Sequence, residues 1–322
     1  MKVTGLLRLS PKVVPLLTTA LVLVLLLGGA SASFDGFASS YVMADLVSEN
    51  AFLGIAALGM TLVILSGGID LSVGSMIGFT TILVATLISD GRWSPVAAWI
   101  AALGIGTAFG GAMGMLIQVF RLPAFLVTLA GLFFARGMAF AIKKQSVQIN
   151  HPMYDRLNDI TLPIGGGAEL SFGALVFLGM FLVTVLIAHF TRFGRNLYAT
   201  GGSESSAVLM GLPVARTKIG VYTFSGFCAS LAGIVMTLYM DSGNPANAMS
   251  LELDAIAVVV IGGTLLTGGI GFVPGTLLGV LIYSTIYQIT YFANLPASLA
   301  RISIGVLLMG FIILQRWLSR AR

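Results

Sequence analysis

Residues 65–78 read "LSGGIDLSVGSMIG". They lie between two apolar runs, "GIAALGMTLVI" before and "FTTILVATLI" after. Glycine weakens a helix interior, and a carboxylate at the centre of a membrane helix costs about 2.5–3.5 kcal/mol on insertion scales. Four glycines and Asp70 in one stretch therefore break what would otherwise be a single long helix. The backbone groups freed at such a break cannot face lipid, so they face protein or a water-filled cavity.

The setting is hydrocarbon. The 322-residue chain is 57% hydrophobic and 9% charged, with a mean hydropathy of +1.00. Soluble domains carry about 25% charged residues. Apolar runs fall near 13–33, 50–66, 72–89, 96–119, 122–142, 169–190, 217–239, 253–266, 270–291 and 297–315. Most approach the ~20 residues a helix needs to cross a bilayer, and none alternates as a barrel strand would. The expected fold is an all-α polytopic membrane protein. It has about ten transmembrane helices, an internal repeat and glycine-rich broken helices, in one domain over residues 1–322. The first run has a basic start and an Ala30-Ser31-Ala32 end, like a signal peptide, but its length favours a retained helix.

The formal net charge is +5. Lys and Arg collect in the cytoplasmic loops of membrane proteins, so this excess speaks for orientation and not for nucleic acid. Lys2, Arg8, Lys12, Arg121, Arg192, Arg195, Arg216, Lys218, Arg316, Arg320 and Arg322 all fall on one side if both termini are cytoplasmic. Loop 143–168, with Lys143, Lys144 and Arg156, is the mixed exception. Trp93 and Trp317 are placed as interfacial anchors.

Residues 266–279, "LTGGIGFVPGTLLG", repeat the opening stretch. Gly67, Gly68 and Ile69 match Gly268, Gly269 and Ile270; Gly74-Ser75 matches Gly275-Thr276; Gly78 matches Gly279. Corresponding breaks in two halves are a sequence sign of a transporter built from repeats, with the breaks beside the substrate path near the midplane. The span count gives both copies the same orientation; one helix more or fewer between them makes the repeat inverted. Gly106, Gly110 and Gly114, four apart, form a strip for close helix packing.

Asn50, Thr61, Ser66, Asp70 and Ser72 gather polar groups around the first break and are candidates for a path suited to a neutral, hydroxylated solute. Asp70 also fits a structural role, as the N-cap of a helix restarting at Leu71 or Ser72. Arg136 is expected to snorkel or pack at the end of its span. His151, His189 and the single Cys228 have no metal-ligand spacing. No constellation suggests catalysis, and no G-x-x-x-x-G-K-[ST] occurs.

Within the segment 189–220, "SESSAVLMG" carries a serine cap, Glu204 in the first turn and Gly211 as a stop before Pro213. It predicts a short cytoplasmic helix, exposed on one side, with Val208, Leu209 and Met210 apolar and either packed on its own membrane domain or docked into a partner.

These residues resemble a known family. "FGRNLYATGGSESSAVLMGLPV" is similar to the cytoplasmic coupling segment of permease subunits of bacterial ABC sugar importers of the ribose class. "NAFLGIAALGMTLVILSGGIDLSVGS", "LPAFLVTLAGLFFARGMAF" and "ELDAIAVVVIGGTLLTGGIG" resemble other segments of the same permeases. "QINHPMYD" and the whole pattern look most like a galactofuranose importer permease. The resemblance implies a coupling segment at 191–217, with Gly201, Gly202, Ser203, Glu204, Ala207, Met210 and Gly211 toward an ABC ATPase subunit. It implies a periplasmic sugar-binding protein and a second permease, related or identical, in the bacterial inner membrane. ATP and Mg would be bound by the ATPase, with no cofactor on this chain. An ion-coupled secondary sugar transporter is the alternative.

Overall fold

The structure is a computed structural model that describes residues 14–320, with the side chains of 15–313. The charges at Lys2, Arg8, Lys12, Arg316, Arg320 and Arg322, and the Trp317 anchor, lie outside the described residues and side chains. The chain is helical throughout its apolar runs. In order these are α1 (Val14–Ser33), α2 (Ser40–Ser48), α3 (Ala51–Leu65), α4 (Val73–Ser89), α5 (Pro95–Val119) and α6 (Ala124–Ile142). Then follow α7 (Pro152–Asn158), α8 (Phe172–Val185), α9 (Arg192–Gly202), α10 (Glu204–Leu209), α11 (Val214–Met240), α12 (Leu251–Ile261), α13 (Val273–Phe292) and α14 (Ala297–Arg320).

The centre of the bundle is α3. Its sequence, "AFLGIAALGMTLVIL", is apolar on every side, and every residue but Phe52 is buried. A helix without a polar face has no place at a water surface, so it is enclosed. The long α11 packs against α3, α4 and α5, and α12 and α13 close the other side. The outer helices turn apolar side chains outward, among them Leu21, Leu25, Ile100, Phe133 and Leu182. Lipid covers such surface at no loss.

The apolar runs are all helices, but fewer of them than about ten meet the length and apolarity that a lone crossing needs. Six do: Pro15–Ser33, Pro95–Val119, Ala124–Ile142, Phe172–Phe190, Val214–Met240 and Val273–Phe292. A seventh is the pair α2–α3, bent by 51°. Helix α4 and the Ala297–Ile313 part of α14 are shorter, and α12 has 11 residues. Apolarity alone does not separate a helix enclosed by protein from one that spans lipid.

Gly106, Gly110 and Gly114 lie where α5 crosses α11, as their spacing implies. A methyl group at Gly110 would strike the Tyr222 carbonyl and come within 3.1 Å of Gly226 Cα; at Gly106 it would meet Ser230, and at Gly114 the Ile219 backbone. Cys228 is a buried free thiol. Segment 143–171 is more ordered than a loop. It contains β1 (Val147–Gln148), α7, β2 (Leu162–Gly165) and β3 (Ala168–Leu170). β1 pairs antiparallel with β4 (Ser242–Gly243), and β2 with β3.

Backbone contact at the α5–α11 crossing sets one test. Gly110→Val should lower the melting temperature of the detergent-solubilised protein through overpacking worth about 1–3 kcal/mol. Gly104→Ala, on the same helix with nothing within 4 Å of the added methyl, should not lower it.

Candidate functional site

The first break begins with a Schellman motif. Helix α3 ends at Leu65, Gly67 takes a φ of 81°, and its N–H donates to the Ile64 carbonyl while Gly68 N–H donates to Val63. The second break starts in the same way. Past Ile261, Gly263 has a φ of 92° and donates to Val260, while Thr264 donates to Val259. The glycines matched in sequence are therefore not all equivalent. Gly268 and Gly269 lie beyond the end of α12, in a turn where Leu265 N–H donates to Ile270 and Gly268 N–H to Leu265.

What those glycines do instead is touch the first break. Gly269 N–H donates to the Leu65 carbonyl at 3.0 Å. A methyl at Gly268 would come within 2.8 Å of Gly67 Cα, and one at Gly269 within 2.6 Å of Gly202 Cα. A methyl at Gly201 would collide with the Leu65 carbonyl and with Gly269. Tyr198 of α9 also donates from its hydroxyl to the Gly271 carbonyl at 2.9 Å. Three chain segments thus meet at one junction of glycines: the two breaks and the end of α9. The segments that follow α3 and α12 both reach this junction.

Asp70 lies inside the first break, 1% exposed. Its Oδ1 accepts from Ser72 N–H at 2.9 Å and from Ser72 Oγ at 2.6 Å, and its Oδ2 accepts from Ser225 Oγ of α11 at 2.8 Å. The helix restarts at Val73 with Ser72 as N-cap, so Asp70 is two residues before the cap rather than the cap itself. It closes a local turn and ties it to α11. Of the other polar candidates, Ser66 caps α3 and lines a cavity of about 620 Å³. Thr61 shares a hydrogen bond with Thr276 at 2.7 Å, and Asn50 Nδ2 donates to Ser284 Oγ at 2.9 Å. The structure brings Asp70 and Ser72 together; it places Asn50 and Thr61 in separate contacts with α13.

Segment 191–213 is built of two helices. α9 buries Gly194, Leu197 and Thr200, and α10 follows directly. Ser203 caps α10, accepting from Ser206 N–H at 3.3 Å, and Gly211 ends the turn at a φ of 72°. Glu204 is ion-paired with Lys218 at 2.6 Å. Ala207 faces inward and is fully buried, whereas Val208, Leu209 and Met210 are exposed, Leu209 at 88%. An exposed apolar triplet at the tip of a capped helix stands out on a surface otherwise free to be polar.

Of the two placements expected of Arg136, the structure shows packing rather than snorkelling. Its guanidinium donates to the carbonyls of Pro245 at 2.5 Å, Asn247 at 2.8 Å, Gly74 at 3.3 Å and Ala248 at 3.4 Å. It clamps segment 244–250 against the first turns of α4, where Thr81 Oγ1 also donates to the Asn244 carbonyl. Glu252, buried in the first turn of α12, has an Oε2 without a hydrogen-bond partner beside the Gly74 backbone. The available signal was chemical: five guanidinium donors in an apolar helix need acceptors, and folded-back backbone supplies them.

These elements define a polytopic helical membrane protein with broken helices that converge under a short exposed helix. The chain matches, over residues 42–312, the family described as branched-chain amino acid transport system / permease component, and it belongs to that family. It is 47% identical over 306 residues to the inner membrane ABC transporter permease protein YjfF of Escherichia coli (strain K12), covering 95% of this chain and 92% of that one. It is 35% identical to the fructose import permease protein FruG of Bifidobacterium longum, over 96% and 92% of the two chains. With the ribose import permease protein RbsC of Escherichia coli (strain K12) it shares 36% identity over 83% and 82%. The resemblance to ribose-class ABC permeases carried by "FGRNLYATGGSESSAVLMGLPV" is borne out.

The geometry of Asp70 sets a second test. Asp70→Ala leaves the Ser72 N–H and the Ser225 hydroxyl buried without acceptors, at about 1–3 kcal/mol. Asp70→Asn keeps one acceptor oxygen and should lose less, as read by thermal unfolding in detergent. Equal melting temperatures for both variants and the parent would remove any structural role for the carboxylate.

Proposed function

We propose that this permease forms the translocation path of an ATP-driven importer for a monosaccharide, and that α10 receives a separate ATPase subunit at the cytoplasmic face. The observation that carries this is the exposed Val208-Leu209-Met210 tip of α10, joined through Gly201 and Gly202 to both helix breaks. Movement imposed on α10 would reach Leu65 and Gly269 through backbone contact, with no side chain to absorb it. Ser203, Glu204, Ala207 and Gly211 hold the helix in place, and Met210 meets the partner.

The sugar assignment rests on relatives named for ribose and fructose import. Within that class, galactofuranose is our specific choice, from the "QINHPMYD" stretch. A periplasmic binding protein would deliver the sugar to the face opposite α10, and a second permease, related or identical, would complete the path. Asn50, Thr61, Ser66, Asp70 and Ser72 are the polar groups on our proposed route. Helix α4, α14, the α2–α3 pair and α12 complete about ten spans within the bundle, with both termini cytoplasmic. The matching Schellman ends of α3 and α12 support an internal repeat.

Two measurements test the coupling. Leu209→Glu should weaken ATPase binding by about 2 kcal/mol, roughly 30-fold in Kd, without changing the helix content. Glu204→Ala, assayed in reconstituted vesicles with the whole importer, should leave ATP hydrolysis running while uptake falls. An ATPase that co-purifies equally with the Leu209→Glu variant overturns the docking assignment. Uptake driven by an ion gradient without ATP overturns the importer class, and the sugar carried by the cognate binding protein decides the substrate.

A further inference from the structure

The turn between α5 and α6 hinges on Arg121, whose φ is 53°. It separates two cavities. One, of about 620 Å³, lies beside α10, with Gly68, Gln118, Arg121, Glu204, Lys218 and Tyr222 in its walls. The other, of about 400 Å³, is an apolar groove along α5 and α6, lined by Phe109, Met113, Leu116, Leu126 and Phe134. Leu122 and Pro123 belong to both walls, so the two spaces adjoin.

The first cavity is suited to an anion. Helix α6 starts there at Ala124 with no side-chain cap, so the positive end of its dipole is open to it. Arg121 belongs to neither of the ion pairs among the described residues. Lys218 is paired with Glu204, whose carboxylate lines the same cavity, so one positive charge is left uncompensated. The Tyr222 hydroxyl, on a side chain 1% exposed, lies over Gly68 and has no hydrogen-bond partner. A buried phenol without a partner is a donor waiting for an acceptor.

A free anion would leave the groove empty. Leu116, Leu126 and Phe134 are exposed along it. The occupant that satisfies both spaces has a phosphate at one end and an alkyl chain at the other. We propose that one anionic phospholipid binds here, its phosphate between Arg121 and the start of α6 and an acyl chain in the α5–α6 groove. Because Ser66, Gly67 and Gly68 share the cavity wall with Glu204 and Val208, this lipid would bridge the first break and α10.

The test uses the full chain, purified in mild detergent, with phosphatidylglycerol, phosphatidylcholine and glycerol phosphate as probes. Native mass spectrometry and thermal shift should show phosphatidylglycerol retained and stabilising, and phosphatidylcholine lost. Glycerol phosphate should have no effect. Arg121→Gln should reduce phosphatidylglycerol binding about tenfold by removing the charge. Ala112→Phe and Ala130→Phe, at exposed positions in the groove wall, should do the same by filling it. The two groove variants are independent, so misfolding of one leaves the other as the test, and melting without lipid identifies it. Equal binding of phosphatidylcholine, unchanged binding in the variants, or full stabilisation by glycerol phosphate alone would each overturn the proposal.

Discussion

The bond from Gly269 N–H to the Leu65 carbonyl is the contact on which the rest of the arrangement depends. A helix that stops inside an apolar bundle leaves carbonyls that need partners from elsewhere in the chain or from a cavity. Here α3 turns two of its last N–H···O bonds into a Schellman motif and gives the Leu65 carbonyl to the second break. That bond can form only because glycine sits on every side of it. Gly201, Gly268 and Gly269 let three backbones approach to distances that a single Cβ would forbid, and Gly67 supplies the positive φ of the turn. The positions of α4, α9 and α13 follow from that junction.

The same rule explains the polar residues buried elsewhere. Thr61, Thr107, Thr184, Thr285 and Thr290 all return their hydroxyl protons to the carbonyl four residues earlier, so each supplies its own partner. Asp70 cannot do this, being an acceptor only, and it draws its donors from Ser72 and from Ser225 across the bundle. Arg136 has the opposite problem. It carries donors only, and it folds segment 244–250 inward to supply carbonyls. Neither side chain is in an ion pair among the described residues: backbone carbonyls hold Arg136, and the donors of Ser72 and Ser225 hold Asp70.

Much of this was legible in the chain. Apolar runs located the helices, the spacing of Gly106, Gly110 and Gly114 marked the α5–α11 crossing, and the pattern from Ser203 to Gly211 placed α10 with its cap and stop. The site was legible in part. Asp70 was singled out for its charge, yet its helix starts later than expected, because Ser72 provides the cap. Helix α9 was not separated from the rest of its segment, although Thr191 caps its start and its apolar residues fall on one face of the helical period. The strands β1 and β4 pair across nearly a hundred residues, and segments that short have no periodicity to read.

By itself, the sequence determined local quantities: which segments are too apolar for water, where helices must break, and which short helix carries its own cap. These depend on neighbours along the chain, through backbone conformation and burial. Only the tertiary structure decided what the matched glycines are for. In sequence "LSGGIDLSVGSMIG" and "LTGGIGFVPGTLLG" look like two copies of one hinge. In three dimensions the second pair of glycines lies beyond its helix and presses against the first break and the end of α9. Glycine specifies that a backbone can come close, because it lacks a Cβ; which backbone comes close is set by packing between segments some 200 residues apart.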